Sequence, residues 1–214
     1  RRQFEIIDPV GEPFWSGGRV MAHVTRRQES DPDVSLIEDL GTDVAAELPD
    51  VAAAFGRSVR ADSAVIDVVI TSEVGLSGVG AAAIPEVKTS SASILLRNDA
   101  DVDVVRRDDE AIEKAAEVTG IVAVDLLEVD GSELLDVPLL ERKRLLESVI
   151  DESDIIRTSI HARPPWQPWV ATWKSLGLRG AMLKAANSRY EPGGDSIEWR
   201  IVESAGRRAQ GSVG

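Results

Sequence analysis

Apolar and polar positions along the chain change period several times, and each change marks an element. Val20 to Thr25 alternates weakly after two glycines and predicts a strand. The Ala-rich run from Gly41 to Gly56 predicts a helix interrupted near Pro49 and stopped at Gly56, with Thr42 as its N-cap. "AVIDVVITS" (Ala64 to Ser72) is β-branched and predicts a strand. The glycine- and serine-rich "VGLSGVGAAAIPEVKTSS" that follows predicts a loop. Asp108 to Gly120 has acids in its first turn and glycine after its last, the punctuation of a helix.

"IVAVDLLEV" (Ile121 to Val129) is nearly all apolar, so it predicts a strand buried on both faces. Asp130-Gly131 then predicts a two-residue hairpin turn. Pro138 to Ile150 predicts an amphipathic helix with proline at its start. Pro164 to Gly177 predicts another, with Trp166, Trp169 and Trp173 on one face. "AMLKA" and "IEWRIVE" predict two strands separated by the turn-rich "NSRYEPGGDS". Helices and strands mix without strict βαβ alternation, which favours an α+β fold with largely antiparallel sheets. The tail from Ser204 to Gly214 predicts a frayed end.

Composition narrows the picture. The 214 residues are 43% hydrophobic and contain no cysteine, which excludes disulfides and thiolate metal sites. No apolar run is long enough to span a membrane, and the first residues lack a signal-peptide core, so the expected location is cytoplasmic. The formal charge of −13 argues against tight, charge-driven binding of nucleic acid by the chain as a whole. The charge is uneven, however. Residues from Arg157 onward carry nine Lys/Arg and four Asp/Glu, so a polyanion would approach that end.

The C-terminal half carries an ordered set of motifs. "VDLLEVDGSELLDVPLLERKRLL" supplies Pro138, Leu139, Glu141, Arg142 and Arg144. "LRGAMLKAANSRYEPGGDSIEWRIV" supplies Gly180, Lys184, Ser188, Tyr190, Pro192, Gly193 and Trp199. Together they resemble the nucleotidyltransferase (adenylation) domain of ATP-dependent DNA ligases. The resemblance implies an α+β, ATP-grasp-like domain over residues 1–203, antiparallel sheets flanked by helices, with no OB-fold in this chain. It implies DNA or DNA-repair proteins as partners.

The family's nucleophile loop reads Glu-x-Lys-x-Asp-Gly-x-Arg, and "EPFWSGGR" has the same frame. Glu12, Gly17 and Arg19 are kept; Phe14 stands for the lysine and Ser16 for the aspartate. A second element persists as "EDLGTDV", with Gly41 and Asp43 kept and Asp39 at the arginine position.

The departures matter chemically. The family reaction begins when a lysine amine attacks the α-phosphorus of ATP, and Phe14 has no lone pair. Ser16 has no evident base, since His23 lies seven residues away along a strand. The Asp-Gly-Glu strand keeps Asp67 but has Val68 and Val69. Val124 replaces the aromatic adenine stacker, and Arg179 replaces a metal-binding glutamate. Ile201 and Glu203 replace two phosphate lysines. No catalytic or metal-ligating residue is therefore assigned.

Arg19 and Lys184 remain as candidates for binding a nucleotide or another anion, each equally able to form an ordinary salt bridge. The expectation is an inactive, ligase-like binding or assembly module that needs no cofactor. The alternative is an ATP-binding enzyme using Mg²⁺, with Lys184 as displaced nucleophile. The Arg142–Arg144 run is expected on a solvated helix face, and the tryptophan stripe in packing. His161 is expected to lack an acidic partner.

Overall fold

The computed structural model describes residues 6–27, 30–71, 119–165, 167–175, 178, 180–193 and 199–203. The expected helix from Asp108, the glycine-rich loop, Trp166, Arg179 and the tail lie outside the described residues.

The strands are β1 (Pro9–Pro13), β2 (Gly18–Thr25), β3 (Asp33–Ile37), β4 (Ser63–Thr71), β5 (Gly120–Val129), β6 (Ser132–Glu133), β7 (Ile156–Thr158), β8 (Gly180–Ala185) and β9 (Trp199–Glu203). The α-helices are α1 (Pro49–Ser58), α2 (Leu139–Val149) and α3 (Gln167–Ser175). A short 3-10 turn, Ala45–Glu47, precedes α1. The larger sheet has the order β3-β2-β4-β5-β6, with β7 also on β5; the smaller has the order β1-β8-β9. All pairs are antiparallel except β5 with β7. This is the α+β architecture that the sequence predicts.

Alternation along β2 sends Val20, Ala22 and Val24 into the core and turns Arg19 and Met21 to the opposite face. Ile66, Val68 and Ile70 of β4 join them, as do Ile121, Ala123 and Leu126 of β5 and Phe55 of α1. β5 is buried on both sides over most of its length, as its unbroken apolar run predicts. At its end Asp130 and Gly131 have φ of 48° and 77°, the paired positive angles of a tight hairpin turn. Asp130 Oδ1 also accepts the backbone N–H groups of Asp62 and Ser63 at 2.8 and 3.1 Å, tying that turn to the start of β4.

Two predicted boundaries are corrected. Pro49 begins α1 rather than interrupting a longer helix, because a first-turn proline loses no helical hydrogen bond. Gly56 lies inside α1 rather than ending it. A Cβ there would lie 2.7 Å from a Val34 methyl carbon, so glycine is needed for close approach to β3. Strands β1, β3 and β7 were not legible. β1 is a Pro-Val-Gly-Glu-Pro sequence whose strand character comes from pairing with β8 rather than from propensity.

Candidate functional site

The frame from Glu12 to Arg19 leaves the small sheet on β1 and enters the large sheet on β2. Phe14 follows directly after β1, half-buried, and its N–H donates to the Gly180 carbonyl at 2.9 Å. The Phe14 backbone is thus tied to the start of β8. The Ser16 carbonyl accepts the Thr71 hydroxyl at 2.5 Å, which ties the loop to the end of β4.

Glu12 is the centre of a buried ionic cluster. Its Oε2 accepts Lys143 Nζ at 2.6 Å and the Ser159 hydroxyl at 3.0 Å. Lys184 Nζ lies 3.2 Å from Oε1. Trp15 Nε1 donates to Ser159 Oγ at 3.0 Å, closing the arrangement from the loop side. Lys143 Nζ also donates to the Val124 carbonyl at 2.6 Å. Burial alone would raise the Glu12 carboxyl, but Lys143 and Lys184 together bring it down to about 2. Lys143 is lowered as well, for the opposite reason: burial pushes its ammonium below the usual lysine range despite Glu12. One carboxylate is shared between two ammonium groups, so neither is fully compensated.

Arg19 forms the second node. Its Nε donates to Asp67 Oδ1 at 2.8 Å, and Nη2 donates to Oδ2 of the same carboxylate. The Tyr190 hydroxyl donates to Asp67 Oδ2 at 3.2 Å. Burial would lower the Arg19 pKa, but Asp67 holds it above the ordinary arginine value. Burial and then Asp67 push the Tyr190 phenol up, so it stays protonated. Trp199 joins the nodes: Lys184 Nζ sits 4.3 Å and Arg19 Cζ 5.7 Å from its ring centroid, and Tyr190 meets it edge-on. The structure therefore places both expected anion-binding cations in one region, each beside a carboxylate.

A third pair lies beneath. Arg142 donates Nε and Nη2 to both oxygens of Asp125, at 2.9 and 2.8 Å, with both side chains fully buried. Its Nη1 donates to the Ser188 carbonyl at 3.1 Å and to the Val137 carbonyl. This corrects the solvated-face expectation for the Arg142–Arg144 run. Only Arg144 is exposed, paired with Glu141; Arg142 and Lys143 are buried. The signal was present, because Leu139, Arg142, Lys143 and Leu146 fall at i, i+3, i+4 and i+7, the spacing of one buried stripe.

The remaining expectations divide. Trp173 is buried against Leu178 and Ala181, as packing predicts, while Trp169 is 44% exposed. His161 does have an acidic neighbour: Glu147 Oε1 lies 3.7 Å from Nδ1. His23 pairs with Val65 along β2 and is exposed, away from Ser16. Asp43 accepts the N–H groups of Leu36 and Ala45, both at 3.0 Å, and so serves as a local turn anchor. The roles of Glu12, Lys143 and Tyr190 in this layer were not foreseen.

Among the described residues the donor set does not fit magnesium-assisted nucleotide chemistry. Mg²⁺ requires oxygen ligands in octahedral array. Both Asp67 oxygens are engaged by Arg19, and Glu12 is held by two lysines. Among the described residues no group of three or more His, Cys, Asp or Glu could hold a metal.

Two largely antiparallel sheets bridged by this frame define a ligase-type nucleotidyltransferase domain. The chain belongs to the ATP-dependent DNA ligase domain family, whose sequence model matches residues 87–200. A DNA ligase of Thermococcus fumicolans is 31% identical over 83 residues, 37% of this chain and 15% of the relative. DNA ligase 2 of Haloquadratum walsbyi is 32% identical over 81 residues, again 37% of this chain and 13% of the relative.

Among solved structures, the ligase domain of M. tuberculosis LigD matches over 91% of this chain and 53% of its own, at 20% identity and a TM-score of 0.58. A mycobacterial DNA ligase D complexed with ATP and MES matches over 91% of this chain and 54% of its own, with a TM-score of 0.59 and 20% identity. These are likenesses of fold. The chain spans about half of those solved chains and under a fifth of the curated relatives. No helix among the described residues is long and apolar enough to cross a membrane.

Proposed function

We propose that this chain is a ligase-type domain, over residues 1–203, that does not form an adenylate and acts as a binding or assembly module. The observation that carries this reading is Phe14. By the resemblance of its loop it stands for the nucleophilic lysine, and it follows β1 with its backbone N–H bonded to the Gly180 carbonyl. A benzyl side chain offers no electron pair to phosphorus. Lys184, the displaced nucleophile of the alternative reading, supports the same conclusion. It is buried beside Glu12, and an ammonium in an ion pair is a poor nucleophile.

The ligase relatives support DNA or a DNA-repair protein as partner, and the basic excess from Arg157 onward is the segment that would meet a polyanion. Incubation with labelled ATP and Mg²⁺, followed by denaturation, tests the reading; a covalent AMP adduct sinks it. Binding to nicked duplex DNA, if present, should weaken steeply with salt. Salt-independent binding would remove DNA as the partner and leave protein.

A further inference from the structure

The joint between the two sheets holds more amines than carboxylates. Glu12 stands on β1 and Lys184 on β8, both in the small sheet. Lys143 stands on α2, which packs against β5 of the large sheet. None of the three is more than 2% exposed. Arg142 cancels Asp125, and Arg19 cancels Asp67. Two amines are left for the one carboxylate of Glu12. With both protonated, the joint buries one positive charge in excess, an arrangement a protein interior disfavours.

The hydrogen bonds indicate which amine gives way. Lys143 Nζ donates to Glu12 Oε2 and to the Val124 carbonyl, both at 2.6 Å, and to no third acceptor among the described residues. An ammonium has three N–H donors and a neutral amine two, so two acceptors match the neutral form. A third N–H buried without a partner penalises the ammonium. Lys184 is placed differently. Its Nζ lies 3.2 Å from Glu12 Oε1 and 4.3 Å from the centroid of the Trp199 ring, and a carboxylate and a π face both favour the charged form.

The charged groups facing Lys143 are Glu12 from β1, Lys184 from β8 and Asp125 from β5. Arg142 engages both oxygens of Asp125 and lies over the ring of Tyr190, an uncharged phenol. Glu147, one turn further along α2, is exposed and faces His161 instead. Burial weakens the hold of Lys143 on its proton and Lys184 adds to the effect, against Glu12 and Asp125.

We propose that Glu12, Lys143 and Lys184 form a proton-linked clasp between the sheets: closing the joint expels one proton from Lys143 to water, and taking that proton back loosens it. The closed clasp then holds a carboxylate, an ammonium and a neutral amine, with no net charge. Undocked, Lys143 keeps its proton up to its ordinary value of 10.5; docked, it sheds the proton at lower pH. Between those limits the open form binds one proton more, so docking strengthens as pH rises, by about tenfold per pH unit at most. The clasp does not depend on whether the domain forms an adenylate.

An NMR titration of the whole chain, carrying ¹³C at the lysine Cε positions, tests this. Among the five lysines, one resonance should titrate well below the others and vanish in Lys143→Met. Lys184→Met leaves Glu12 a single amine, so in that variant the Lys143 resonance should move back toward the rest. A merely structural role for Lys184 would not shift the titration of another lysine. Hydrogen exchange of the β1 and β8 amides reads the joint itself. Corrected for intrinsic rates, their protection should rise with pH in the wild type, by about tenfold per unit at most, and stay flat in Lys143→Met.

Five lysines titrating together near 10.5 would overturn the proposal. So would a low-titrating resonance that survives Lys143→Met or ignores Lys184→Met. Protection of β1 and β8 that is flat with pH in the wild type would overturn it as well.

Discussion

The two faces of the large sheet are held by different physics. On the α1 side, Phe55, Leu36, Ile66, Ile121 and Leu126 belong to one continuous apolar core of the described residues. On the small-sheet side, the contacts run through Glu12, Lys143, Lys184, Arg19, Asp67, Arg142 and Asp125. Apolar packing is non-directional and tolerates volume-conserving changes. Buried ion pairs are directional, add little net stability, and are costly when one partner is lost. The first face therefore sets that the domain folds. The second sets how β1-β8-β9 docks.

The largest expected effect falls on the ionic side. Asp125→Ala should destabilise by about 3–5 kcal/mol, because it strands the buried Arg142 guanidinium. Urea melts measure this, and a loss below about 1 kcal/mol would mean the pair is solvated rather than buried.

Phe55→Ala should cost a similar or slightly smaller amount, about 3–4 kcal/mol, through the cavity it leaves in the apolar face. The diagnostic lies in salt. The Phe55 penalty should be unchanged at high ionic strength, since no charge is involved.

Acid should separate the faces next. Glu12 titrates at about 2 in the fold against 4.5 as its ordinary value. A lowered folded pKa gives stability that is complete above about 4.5 and lost as pH falls through about 2. The full contribution is on the order of 3 kcal/mol. Glu12→Gln should abolish that part of the acid dependence. An unchanged profile between pH 5 and 2 would show that Glu12 is not the titrating group.

A smaller and asymmetric effect comes from the charge imbalance. Lys184→Met removes one of two ammonium groups competing for Glu12, so its cost should stay within about 1 kcal/mol. Glu12→Gln leaves both ammonium groups buried and should cost several times more. Equal penalties would argue against a surplus charge. The smallest effect belongs to the exposed Arg60–Asp151 pair, where Asp151→Asn should leave the thermal midpoint unchanged.

Much of the apolar face was readable from the chain. The β5 run, the Asp130-Gly131 turn and the Leu139–Val149 helix stand where periodicity and turn chemistry put them. Helix α1 was readable in kind but not in extent, because Pro49 serves as a start and Gly56 as a contact point. The polar face was readable only through family motifs. Those motifs located Phe14, Arg19 and Lys184 but not their partners, since Glu12 and Lys143 are 131 residues apart and meet only in the fold. Charge was equally misleading on α2, where Arg142 and Lys143 resemble a solvated run yet occupy the buried stripe. Long-range ion pairing overrides the usual preference of such residues for water.

The central claim is that the aromatic ring at position 14 leaves the domain without adenylating chemistry. Intact-mass spectrometry after incubation with ATP and Mg²⁺ tests it directly, on the wild-type chain beside an active ligase. The account predicts an unmodified mass for this chain and an AMP-shifted mass for the control. An AMP adduct on this chain, mapped by peptide analysis to Lys184 or any other residue, would contradict it.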